Sequence, residues 1–342
     1  MRRSTKRHPQ GAGGGEIALV GCGYWGQNLA RNLHQMGHLA CVCDESPQVL
    51  ESVKASYKGV RTFRSFDRVL EDPRVKAVAL AAPAAQHYVL ARKCLRAGKD
   101  VFVEKPLALR IPEAEELVSL AERRKRVLMV GHILEYHPAI RRLKEFVDAG
   151  DLGEIHYIYS NRLNLGKVRK EENILWSFAP HDISVILLLL GSFPEWAATT
   201  GQSYLQHDVA DVTMTSLAFP GKAKAHIFVS WLHPFKEQKL VVIGSRKMAL
   251  FDDVAREGKL KIFDKGIEWR NGEPVIRQTA ESTLFFPEVE PLREELRHFV
   301  DCVRTRRRPQ TDGPNGLRVL RVLDACQRSI EQGGVPVRLD GG

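Results

Sequence analysis

From residue 16 onward, short continuous apolar runs alternate with longer stretches whose apolar positions recur every three or four residues. EIALV, HLACVCD, GVRTF, VKAVALAAP, DVFVEKP and RVLMVGH are the short runs, and they read as strands buried on both faces. GYWGQNLARNLHQMG, SPQVLESVKASYKG, SFDRVLED, QHYVLARKCLRAGK and PEAEELVSLAERRK lie between them and carry helical spacing. Strands that alternate with helices predict a parallel sheet covered on both faces. This is the doubly wound α/β (Rossmann) architecture, expected over residues 16–134.

Near residue 135 the rhythm changes. HPAIRRLKEFVDAGDLG reads as one amphipathic helix. EIHYIYSNRLNL, DVTMTSLAFP, KAKAHIFVSWLHP, QKLVVIGS, KMALFDD and KLKIFDK follow, several of them alternating apolar and polar positions. That is the pattern of antiparallel strands with one wet face. Two helices, PLREELRHFVDCVRT and GLRVLRVLDACQRSIEQGG, finish the chain. Residues 135–342 are therefore expected to form an α+β domain on a large, mostly antiparallel, open sheet. Residues 1–15 are polar, Gly-rich and basic, and are expected to be a disordered tail. ISVILLLLG is apolar on every side and reads as a short buried helix. On that reading Pro180, His181 and Asp182 stand at its mouth, as capping groups or with His181 as a catalytic group. Asp182 is expected to be a first-turn carboxylate serving the helix dipole.

Composition narrows the function classes. No apolar run approaches the ~20 residues needed to span a bilayer, so no membrane partner is expected. The six cysteines form no Cys-x-x-Cys pair and read as buried thiols in a reducing cytoplasm. Net charge is +10, with four basic residues in the acid-free first ten and four more in RTRRR at 304–308. No basic stripe is interleaved with aromatics, which argues against nucleic acid and leaves anionic small substrates or a solvated surface. No metal-ligand set is assigned.

GCGYWG at 21–26 matches G-x-G-x-x-G through Gly21, Gly23 and Gly26, directly after a strand and at the start of a helix. Gly21 allows the tight turn, Gly23 lets a pyrophosphate approach the backbone, and Gly26 lets the helix pack on the sheet. The free N–H groups of the helix start then face the phosphates. Asp44 ends the second strand, where a carboxylate accepts from adenosine ribose hydroxyls and repels a 2′-phosphate. No arginine stands in the following ESPQ to hold such a phosphate, so NAD is favoured over NADP. Glu104 and Lys105 lie at the carboxyl end of the fifth strand, where open α/β sheets place ligands. The pair reads as a surface ion pair, or as a desolvated lysine with a lowered pKa that shares a proton with a substrate hydroxyl.

GCGYWG, AAPAAQH (81–87), EKP (104–106), VGHILEYHPA (130–139) and a histidine in LWSFAPHDIS occur in this order. With these marks the chain resembles the glucose–fructose oxidoreductase/inositol dehydrogenase (Gfo/Idh/MocA) family from Glu16 onward. The resemblance implies NAD(P)-dependent oxidation or reduction of a sugar carbon, and homodimers or homotetramers formed through the open sheet. It implies that Tyr24 and Trp25, within the glycine motif, and Ala82, Pro83, His87 and Glu104 lie along the cofactor. Lys105, often before a cis proline in the family, would hold the reacting hydroxyl, and His181 would be the catalytic histidine. A helix N-terminus beside His181 would favour the neutral imidazole. Many members carry an aspartate four residues before this histidine, within a Gly-rich stretch. Here that position is Ser177, so Lys105 and His181 are left to carry the proton chemistry.

NRLNLGKVRKEENILWSFAPHDIS resembles the branch that acts on nucleotide-activated amino sugars, oxidising C3 of UDP-N-acetylglucosamine to a ketone for a partner aminotransferase in lipid A or surface polysaccharide synthesis. In that reading Arg162, Lys167 and Arg169 meet a diphosphate. Asn164 binds a sugar hydroxyl or acetamido group, and Trp176 offers a flat face to a ring. The alternatives are the corresponding uronic acid, a dTDP-keto sugar reduced at C3, a glycosidase that uses bound NAD transiently, and a non-catalytic cofactor-sensing regulator.

Overall fold

The structure, a computed structural model, describes residues 15–339 other than Lys167 and Glu288. The expectations for the tail at 1–14 and for Lys167 lie outside the described residues. The first unit runs β1 (Ile17–Val20), α1 (Gly26–Gln35), β2 (Leu39–Cys43), α2 (Pro47–Ser56), β3 (Arg61–Phe63), α3 (Phe66–Glu71), β4 (Ala77–Leu80), α4 (Ala84–Arg96), β5 (Asp100–Glu104), α5 (Ile111–Arg124) and β6 (Leu128–Gly131). All six strands are parallel, in the order β3-β2-β1-β4-β5-β6. β1 and β4 are buried at every position, which is why their sequences are apolar without alternation. The order reverses between β1 and β4, and that switch point is where such sheets bind ligands.

A short 3₁₀ turn (Ile133–Tyr136) and α6 (Pro138–Asp148) lead into the second unit. It comprises β7 (Ile155–Leu163), α7 (Ile174–Leu190), β8 (Trp196–Gln202), β9 (Val212–Ala218), β10 (Lys224–Ser230), β11 (Glu237–Gly244), β12 (Met248–Asp252), β13 (Leu260–Arg270) and β14 (Glu273–Leu284). Then come α8 (Pro291–Thr305), α9 (Gly313–Glu331) and β15 (Val337–Arg338). The nine strands are ordered β14-β13-β12-β11-β7-β10-β9-β8-β15, and only β7 and β10 are paired in parallel. α6, α7 and α9 cover one face with an apolar core. The other face presents Tyr157, Tyr159 and His226, whose rings stack at centroid distances of 6.4 and 5.3 Å.

Two features were not read from the sequence. β13 and β14 form a long hairpin through Asn271 (φ 53°) and Gly272 (φ 84°), both left-handed. An Asn-Gly pair between alternating residues is the local signal for that turn. The second feature is α8, which follows the second sheet in sequence but packs on the first. Leu292, Leu296, Phe299 and Val303 join the core beside β1 and β5, with the Phe299 ring 5.7 Å from that of Phe102. Glu290, just before α8, takes both Nη groups of Arg31 at 2.6 and 3.0 Å. A boundary drawn by chain order at residue 135 therefore does not follow the packing.

Candidate active site

The glycine loop is shaped by close approach. A Cβ on Gly21 would lie 2.7 Å from the Ala82 nitrogen, and its φ of +84° is left-handed. One on Gly26 would lie 2.2 Å from the Gly21 oxygen. At Gly23 nothing stands within 4 Å of the added carbon, so this side of the loop opens beside the start of α1. Asp44 Oδ2 accepts from the Cys22 N–H at 2.7 Å and Oδ1 from the Ser46 N–H at 2.9 Å, which fixes the carboxylate at the loop rim. Tyr24 is exposed, and the Trp25 indole donates to Glu104 Oε1 at 2.6 Å. Ala82 and Pro83 follow β4 and lead into α4. An open glycine, helix-start N–H groups and a rim carboxylate fit a dinucleotide.

His87 departs from its expected place along the cofactor. It is 1% exposed, with Nδ1 2.7 Å from the Pro106 oxygen and Nε2 2.9 Å from the Ala82 oxygen. Its single N–H in the neutral form donates to one of these two carbonyls, and the ring packs between the loop after β4 and the loop after β5, which is a positioning role.

The opposite wall is α7, and it differs from expectation. The helix begins at Ile174 rather than after Asp182, with the Asn173 side chain accepting from the Trp176 N–H at 3.2 Å. Pro180 and His181 are therefore inside a helix of 17 residues. Proline removes the donor to the carbonyl four residues back, that of Trp176, and costs about 3 kcal/mol in a helix interior. Burial of twelve of the seventeen α7 residues offsets that cost. At the next carbonyl, Ser177, the ammonium of Lys105 donates at 2.7 Å. Ser177 lies one turn before His181, so the contact brings Lys105 to the face that carries the imidazole. The peptide bond between Lys105 and Pro106 is cis.

Asp182 serves no helix dipole. It is 2% exposed and points to the sheet, where Oδ1 accepts from Ser160 Oγ at 2.6 Å. The Arg162 guanidinium donates to Oδ2 at 3.0 Å and to Oδ1 at 3.1 Å. Arg162 was expected to meet a substrate diphosphate. Instead it is buried in a bidentate pair that holds α7 to β7. Trp176 is likewise engaged: its indole donates to Gln327 Oε1 at 3.1 Å, and its ring packs between the cores of the two units. Arg169 stands exposed beside Glu172 at 2.9 Å, and Asn164 is half-buried after β7.

The electrostatics favour uncharged bases. Burial first, then the charges of Lys105 and Arg162, hold the His181 imidazole well below its ordinary value. Neutrality thus comes from desolvation and neighbouring cations, not from a helix N-terminus as expected. Burial also pulls the Lys105 ammonium down, with Glu172 opposing. The Glu104 carboxyl is pushed up to about 7 by burial, against the Trp25 hydrogen bond and Lys105.

The profile of an oxidoreductase family with an NAD-binding Rossmann fold matches residues 16–132, and the GFO/IDH/MocA C-terminal domain matches residues 140–250. The chain belongs to the GFO/IDH/MocA oxidoreductase family. As a member it is an NAD-dependent oxidoreductase. A UDP-N-acetylglucosamine 3-dehydrogenase of Acidithiobacillus ferrooxidans is 27% identical over 92% of this chain and 96% of its own length. Its solved structure superposes with a TM-score of 0.82 at 26% identity, covering 92% and 97% of the two chains. A myo-inositol 2-dehydrogenase of Thermotoga maritima is 24% identical over 92% of this chain and 96% of its own. The WlbA dehydrogenase of Bordetella pertussis, solved with NADH and UDP-GlcNAcA, shares the fold with a TM-score of 0.78 at 23% identity, covering 96% and 99%.

Within this family fold, His132 is a group for which the sequence reading assigned no role. It follows β6, beside the pairing of Glu104 with Gly131, and is 1% exposed. Neither ring nitrogen has a hydrogen-bond partner among the described residues. Burial and Lys105 push it down to about 3, so it too is neutral. Buried imidazole nitrogens left unpaired cost about 1–3 kcal/mol each, so His132 carries a cost that its surroundings in the fold leave unoffset. Its presence in VGHILEYHPA at a strand's carboxyl end was the available signal.

Proposed function

We propose that the chain uses NAD to oxidise the C3 hydroxyl of a nucleotide-activated amino sugar, with UDP-N-acetylglucosamine as substrate. The observation that carries this reading is the convergence of Lys105 from β5 and His181 from α7 on one side of the cleft, opposite the glycine loop. Neutral His181 accepts the hydroxyl proton, and Lys105 donates a hydrogen bond to the oxygen as negative charge builds on it. NAD⁺ in the cradle supplies the hydride acceptor, C4 of the nicotinamide. Glu104 lies at the end of β5, where a partly ionised carboxyl is matched to the positive ring.

The choice of sugar rests on the likeness to the A. ferrooxidans 3-dehydrogenase along most of both chains. Arg169 supplies an exposed cation at the cleft for a diphosphate, and Asn164 a hydrogen-bonding amide. A 3-keto product calls for an aminotransferase to consume it. The outward aromatic face of the nine-stranded sheet is the surface we assign to a homo-oligomer.

The test is NADH production by purified protein with four substrates: UDP-N-acetylglucosamine, its uronic acid, free N-acetylglucosamine and inositol. Hydroxylamine traps the ketone, because oxidation at C3 is expected to run uphill. NADH and a trapped UDP-3-keto sugar from the first substrate alone support the proposal. Turnover of the uronic acid alone keeps the mechanism and moves the substrate, and turnover of inositol alone discards the nucleotide. No trapped product from any of the four discards the dehydrogenase reading in favour of a ketoreductase, glycosidase or regulator.

A further inference from the structure

A second concavity lies at the opposite edge of the Rossmann sheet, where β1, β4 and β5 begin at Ile17, Ala77 and Asp100. β5 advances about 13 Å from Asp100 to Glu104 at 3.3 Å per residue, so the sheet separates this cleft from the dinucleotide loop. Its volume of about 500 Å³ is that of a small-molecule site.

Five cations line it (Lys76, Lys99, Arg126, Arg304 and Arg306) against two carboxylates, Glu16 and Asp100. Asp100 is already taken, accepting from Arg306 at 2.6 and 3.0 Å. Glu16 lies 3.8 Å from His38. Three of the four remaining cations hold carbonyls instead of carboxylates. Lys76 donates to the Pro73 oxygen at 3.0 Å, and Arg126 Nε to the Arg124 oxygen at 3.2 Å. Lys99 is only 9% exposed, and its ammonium donates to the oxygens of Asp72 and Val75 at 3.0 and 2.7 Å. A lysine that deep without a carboxylate is uncommon. The carboxylate of Asp72 is turned to Arg61 and Arg74.

Four of the basic residues at 304–308 were a surplus that the cofactor chemistry did not use. Three of them face acids: Arg306 on Asp100, Arg307 3.8 Å from Asp301, and Arg308 on Asp312. Arg304 has no such ion pair among the described residues and turns to the cleft. The first ten residues, which precede Glu16 in the chain, hold four basic residues and no acid, so their sequence offers no counter-charge.

We propose that this cleft is an anion site, distinct from the dinucleotide site, which takes a phosphate or diphosphate group through Lys76, Lys99, Arg126 and Arg304. A concave wall with cations in excess of carboxylates focuses positive potential, and a multiply charged oxyanion can accept from several of them at once. The ligand is either the free anion or the diphosphate of a nucleotide.

The experiment is calorimetric titration of pyrophosphate into the full chain saturated with NADH, which occupies the dinucleotide site. Saturable binding is expected. It should weaken at least tenfold in Arg126→Glu/Arg304→Glu and fall with added NaCl. The single variant Arg304→Ala, at an exposed position, should show a smaller loss in the same direction. NADH affinity of each variant, read by fluorescence, should be unchanged, which separates a lost site from a lost fold. UDP titrated the same way distinguishes the sources. A matching loss of UDP affinity assigns a nucleotide-borne diphosphate, and unaltered UDP binding assigns the free anion. Pyrophosphate binding that is equal in wild type and variants, or not saturable in wild type, overturns the proposal.

Discussion

The two walls of the candidate cleft are built by different physics. The Rossmann wall is local. Gly21, Gly23 and Gly26 lie within six residues; Gly21 is crowded by the Ala81–Ala82 backbone, Gly26 by the Gly21 oxygen, and Gly23 faces open space, with Asp44 fixed by N–H groups of Cys22 and Ser46. The α7 wall is assembled from afar. Asp182 is held by Ser160 and Arg162 on β7, Ser177 by Lys105 on the other unit, and Trp176 by Gln327 on α9. A wall specified locally can lose its ligand without losing its fold. One specified by tertiary contacts couples catalysis to stability.

The sharpest way to break this contrast is at a residue that joins the walls. Lys105→Met removes the bond to the Ser177 carbonyl and, on the proposed mechanism, the donor to the reacting oxygen. Turnover should fall by about 10³-fold, within the range for loss of a proton-handling group, while NADH still binds. Stopped-flow hydride transfer and NADH fluorescence measure the two separately, and retention of full turnover would sink the mechanism. Next in size is Asp182→Ala, which strands the buried Arg162 guanidinium. Unfolding free energy should drop by about 3–5 kcal/mol, with much of it recovered in Arg162→Met/Asp182→Leu. A loss under about 1 kcal/mol, typical of an exposed pair, would show that the α7 wall does not depend on this contact. The smallest effect sharpens the local side. Gly23→Ala meets open space, so its melting temperature should match wild type while NAD binding weakens about tenfold, or ~1.4 kcal/mol. Gly26→Ala, driven into the Gly21 oxygen, should lower both. Equal thermal losses in the two variants would refute the distinction.

The contrast also explains what could be read in advance. The glycine loop, Asp44 and Lys105 were legible because their signals are short and adjacent to buried strands. α7 was read too short because PHD looks like a helix mouth, and proline ends helices when only neighbours in sequence are weighed. Arg162 was read with Lys167 and Arg169 as a basic set meeting a diphosphate. Its partner lies twenty residues on in sequence, across a sheet–helix contact that no periodicity reports. His132 passed without a role because an unpaired nitrogen is a property of surroundings, not of a motif.

The sequence by itself determined the parallel α/β unit, the antiparallel second sheet, the dinucleotide cradle and the lysine at the end of β5. Each is carried by apolar periodicity or by spacing within a turn. The tertiary structure alone decided that α7 runs through Pro180, that Arg162 is spent on Asp182, and that α8 returns to the first sheet. It also gathered cations at positions 76, 99, 126 and 304 into one cleft. Such contacts depend on which surfaces meet when two apolar cores close, and charges far apart in the chain become neighbours only then.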